Sequence, residues 1–166
     1  MAIALTMVVG TGGGNTPAGA IAPKASNTVA HDTAAGESGP IYVAVLRYAL
    51  PTPGGPVWIL THTFSDIVES DGTGTPSLIG SDVRAQIAAA LSYPVQWVDK
   101  SPVRGLDNPE HGTVVTLGPI EDLHAEVHVA IETWCGGLCA EGKTLVLREV
   151  SGVWRVIGTT GPEWVS

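Results

Sequence analysis

The chain has 166 residues, 44% of them hydrophobic, and a formal charge of −8. Its eight basic residues are scattered. That excludes the clustered cations nucleic-acid binding needs and disfavours attraction to an anionic membrane. No apolar run reaches the ~18–20 residues of a bilayer span.

Ala2 to Val9 is apolar, a Gly-rich segment follows, and then comes Ala18-Gly19-Ala20. An apolar h-region before an A-x-A-like site is the order of a secretory signal, although no basic residue precedes Lys24. These features predict an extracellular or cell-surface protein; the alternative is a cytoplasmic one. Residues 10–39 are mainly small and polar and carry too little apolar surface to offset ordering entropy. Residues 1–39 therefore read as a signal remnant and flexible linker. Residues 40–166 hold every Trp, Tyr and Phe and read as one domain.

Pro40 predicts a helix start, capped by Ser38 or Gly39, with Ile41, Val45, Tyr48 and Ala49 on one face and Pro51 as its end. Val57 to Phe64 predicts a strand, and residues 65–80 a long polar loop. Ser81 predicts the cap of a second helix with Val83, Ile87, Ala90 and Leu91 inward, ending at Pro94. Beyond it, Val95–Asp99, Thr113–Leu117, Leu123–Trp134, Lys143–Val150 and Val153–Thr159 read as strands. Helices first and meandering strands later predict an α+β domain: two helices packed on a bent antiparallel sheet, cystatin-like or NTF2-like in outline. That comparison concerns shape and carries no function.

Ser151-Gly152 between two β-rich runs predicts a hairpin. A two-residue loop would set Arg148 opposite Arg155, and like charges across a strand pair repel. The favoured register is a three-residue loop with Gly152 in a bulge, placing Glu149 opposite Val153 and Arg148 opposite Trp154. Trp164 is expected to dock on the domain.

His124, Glu126 and His128 alternate with apolar residues, with Glu132 further along. On a strand they share one face, where they line a ligand pocket or form the solvated side of a half-buried strand. His62, in the first strand, is a further lining candidate or a hydrogen-bonded core histidine. Two histidines four apart on a strand lie ~13 Å apart at the backbone, too far to ligate one ion. No Walker A loop, G-x-S-x-G, H-E-x-x-H or dinucleotide fingerprint appears, so no catalytic residue, metal or cofactor is assigned. Cys135 and Cys139, the only cysteines, leave three readings open: a small disulfide, two free thiols, or half a zinc site.

Trp134-Cys135-Gly136-Gly137-Leu138-Cys139, Gly152-Val153-Trp154-Arg155-Val156 and Gly158-Thr159-Thr160-Gly161-Pro162 carry a resemblance. They resemble a set of uncharacterised, often exported bacterial proteins, mainly from high-GC Gram-positive species. The resemblance spans roughly residues 40–166 and implies export; it implies no catalytic residues. The expectation is a non-enzymatic exported or cell-surface domain that binds a partner, such as a cell-surface protein. The alternative is a small enzyme or ligand-binding protein with a pocket on the concave sheet face, with or without the help of a metal held by a His-Glu pair two residues apart.

Overall fold

The computed structural model describes residues 35–64, 76–102 and 111–166. The linker and signal expectations for residues 1–34, and most of the expected 65–80 loop, lie outside that set. The elements are α1 (Ala35–Ala49), β1 (Val57–Leu60), α2 (Ser81–Ala90), β2 (Val95–Val98), β3 (Thr113–Asp122), β4 (Val127–Trp134), β5 (Ala140–Val150) and β6 (Val153–Val165). The six strands form one sheet in the order β2-β1-β3-β4-β5-β6. The class is α+β. The sheet is mixed, since β1 runs parallel to both β2 and β3, while β3 to β6 form an antiparallel meander. The α2 crossover from β1 to β2 accounts for the parallel pair, because two parallel strands need a long connection.

Both helices take part in the core, and the sequence explains which strand faces they cover. In β4, Val127, Val129, Ile131 and Thr133 are buried, and the residues between them are half-buried. The buried set joins Ile59, Leu117, Leu145 and Leu147 with Ile41 and Leu46 of α1 and Ile87 of α2 in one cluster. A second, smaller cluster of Trp58 and Val114, with Leu60, Val98 and Trp134 against it, lies apart from the first. The period of two sends these residues to the face opposite Val57, Ile59 and Val115. One sheet face is thus packed by helices, and the other carries the small aromatic cluster.

α1 begins five residues before Pro40, so the proline lies inside the helix. The carbonyl that loses its partner is that of exposed Gly36, where water can satisfy it. The buried stripe is Ile41, Tyr42, Val45 and Leu46, whereas Tyr48 is 52% exposed. The Tyr42 hydroxyl donates to the Gly118 carbonyl at 3.0 Å, and burial pushes its pKa up to about 12. Gly80, not Ser81, is the N-cap of α2, with no side-chain cap bond. Arg47 of α1 donates to the Ala90 carbonyl at 2.7 Å and so satisfies the C-terminal turn of α2.

The closing hairpin forms, in the register the charge argument disfavoured. Val150 pairs with Val153, Glu149 with Trp154 and Arg148 with Arg155. Two features outweigh the repulsion. Arg148 forms an ion pair with Glu126 on the neighbouring segment, which draws its charge away from Arg155. Ser151 and Gly152 both take positive φ, 54° and 77°, as in the two-residue turn whose twist matches that of the strands. The irregularity in register falls further along, where Val146 and Leu147 meet Gly158 and Val156. Gly152→Val should cost about 1–2 kcal/mol, since a β-branched residue is strained at this φ. Ser151→Asn should raise the melting temperature, because Asn tolerates the left-handed region better. Thermal melts check both, and equal midpoints for all three proteins would refute the turn geometry.

Candidate functional site

Of the four residues expected to line a pocket, His124 and Glu126 meet in one small cleft of about 260 Å³ beside Asp122 and Glu149, and His62 and His128 stand outside it. His124 is not in a strand. Its φ is 76°, and its N–H is held at 3.0 Å by the Asp122 carboxylate, so it sits at the tip of the β3–β4 turn. Glu126 is occupied by Arg148. His128 is on β4, opposite Glu121 on one side and Val146 on the other. His62 lies past the end of β1 in an isolated bridge with Leu78. Its Nδ1 is 3.0 Å from the Thr61 hydroxyl, which donates to Asp99 at 2.7 Å. With that proton committed to Asp99, His62 Nδ1 is the donor to Thr61. This is the half-buried, hydrogen-bonded histidine of the plainer expectation. Among the described residues no group of three His, Cys, Asp or Glu is placed to hold a metal ion.

Cys135 and Cys139 meet across the turn linking β4 to β5, with Cα atoms 5.2 Å apart, within the range of a disulfide. Gly136 and Gly137 have φ of 103° and 27° and let the chain reverse inside so short a loop. The Cys135 N–H donates to the Cys139 carbonyl, and the Cys139 N–H to that of Gly136, each at 2.8 Å.

A different set of residues forms the most developed cleft chemistry. It lies on the sheet face that carries the small aromatic cluster, around Glu132 of β4. Sheet register builds it. Thr116 of β3 is opposite Glu132, Glu132 is opposite Gly142 of β5, and Gly142 is opposite Trp164 of β6. In the adjacent row Val114 is opposite Trp134, and Trp134 is opposite Ala140. Between β4 and β6 the floor is therefore Gly142 and Ala140, the two smallest side chains available. Leu60, Val114, Thr116, Glu132, Trp134 and Trp164 line the resulting cleft of about 380 Å³. A larger groove of about 530 Å³ runs between α1 and the closing hairpin, past Val43, Tyr48 and Trp154, but no carboxylate among the described residues lines it.

Glu132 is half-buried, and burial raises its carboxyl above the usual carboxylate range. Neither ion pair among the described residues involves it. Trp164 is half-buried as expected, and its Nε1 is buried without a partner among the described residues. Its accessible part is consequently ring carbon, which supplies apolar surface rather than a hydrogen bond.

A raised carboxyl pKa means the folded chain keeps that proton at a pH where the unfolded chain has lost it. Stability from this group is present on the acid side and is lost as pH rises through the raised value. Glu132→Gln should therefore melt above the parent protein at neutral pH, with the gap closing below about pH 4. A gap that stays constant with pH would refute the assignment.

The strand alternation already set Glu132 on the face of His128. What sequence reading missed was the neighbours of Glu132, because the pairing of β4 with β5 and β5 with β6 brings in Ala140, Gly142 and Trp164. No family model, curated protein or solved structure matches the chain.

Proposed function

We propose that the domain is a non-enzymatic, exported ligand-binding module whose binding surface is the sheet face around Glu132. One observation carries this reading: a half-buried carboxylate without an ion-pair partner among the described residues stands in a cleft lined by two tryptophans. Desolvating a carboxylate without a partner costs stability, and a protein retains such a group where a ligand compensates it. The cysteine pair at disulfide distance supports export, since disulfides persist in oxidising compartments. The enzymatic alternative draws less support, because His62, His124 and His128 stand in separate places.

The test is a tryptophan-emission titration of the full chain with soluble organic cations, neutral sugars and aromatic acids. A saturable change that disappears in Trp134→Ala, with the variant still melting cooperatively, supports the reading. Absence of any saturable change across the three classes sinks it.

A further inference from the structure

We infer that the Glu132 cleft selects a small organic cation with apolar substituents, an ammonium group carrying methyl or ring carbons. The inference rests on the ligand-binding reading above and names what that site accepts. Three features of the cleft converge on it. The first is width: β4 and β6 stand two inter-strand spacings apart, about 10 Å. Gly142 and Ala140 leave the floor between them low. That space suits a ring or a substituted ammonium group. The second is wall chemistry. Trp134 and Trp164 present aromatic surface, and the hidden Nε1 of Trp164 leaves ring carbon as what a ligand meets. Aromatic surface attracts a cation through its quadrupole and takes up methyl groups by burial. The third is charge. Among the described residues Glu132 is the only charged side chain lining the cleft, and no basic one lines it. An anionic ligand would add repulsion to desolvation, and a neutral one would leave the carboxylate uncompensated. The chain's net charge of −8 further favours approach of a cation.

The experiment titrates the full chain with benzyltrimethylammonium, benzyl alcohol and benzoate, three probes of one ring and different charge, read by tryptophan emission and calorimetry. The cation should bind at least about tenfold tighter than the alcohol, with benzoate weakest. Glu132→Gln should remove that preference, bringing the cation's affinity to that of benzyl alcohol. Cation affinity should fall as pH drops and Glu132 takes up its proton. Equal affinity for cation and alcohol, or an unchanged preference in Glu132→Gln, overturns the ligand class and leaves the binding site standing. No saturable binding of any of the three overturns both.

Discussion

Leu117→Ala is expected to lower the unfolding free energy by about 2–5 kcal/mol. Leu117 is fully buried in the helix-side cluster, opposite Ile131 on β4. It also sits beside the irregularity in the β3–β4 register, between Leu117 and Ile120. Its carbonyl accepts the Phe64 N–H at 3.1 Å, tying the end of the β1 segment to β3. A pinned backbone cannot collapse far into the space an alanine leaves, so the cavity term adds fully to the lost transfer energy. Urea unfolding monitored by circular dichroism measures the cost. Val165→Ala, at a residue 82% exposed, is the control and should change stability by less than about 0.5 kcal/mol. Similar values for the two variants would refute this account of the core.

Gly112→Ala should cost about 1–3 kcal/mol by overpacking and should shift the tryptophan emission. A Cβ at Gly112 would lie 2.2 and 2.5 Å from Trp58 ring carbons and 2.6 Å from the Pro56 carbonyl oxygen. Neither obstacle yields easily. The Pro56 oxygen accepts the Thr113 N–H at 2.8 Å, and the Trp58 ring is nearly buried, at 6% exposure, in the cluster with Val114. Trp58 must then leave its place, which opens the packing beside the Glu132 cleft. Unchanged melting and unchanged emission together would show that the glycine is not required.

Local patterns made much of the fold legible. The α2 stripe at Val83, Ile87, Ala90 and Leu91, the alternation of β4 and the hairpin at Ser151-Gly152 are each written in a few adjacent residues. Features decided by distant neighbours were not. The hairpin register turned on Glu126, an acid just before β4 that relieves Arg148. The outward turn of Tyr48 reflects a core stripe shared by Ile41/Val45 and Tyr42/Leu46. The parallel β1–β3 pair follows from how the sheet assembles and leaves no mark in either strand. The candidate site divides in the same way. Glu132 was visible as a face-sharing carboxylate, but its setting depends on Gly142 and Trp164, which register alone brings beside it. His124 misled because alternation continues through a turn that the Asp122 side chain closes.

The position of β1 also bears on the order in which the chain assembles. Val150 meets Val153 across a two-residue turn, whereas Val57 meets Thr113 only after α2, β2 and a long connection have been placed. Loop closure costs more entropy for the distant pair, and non-local pairing is slow. The β3–β6 meander should therefore form first and β1 insert late, between β2 and β3. Pulse-labelled amide exchange should protect Ile131 and Leu145 before Ile59. Until β1 arrives, β3 presents an open edge with Val115 and Leu117 uncovered, and this is the interval in which another chain could pair there.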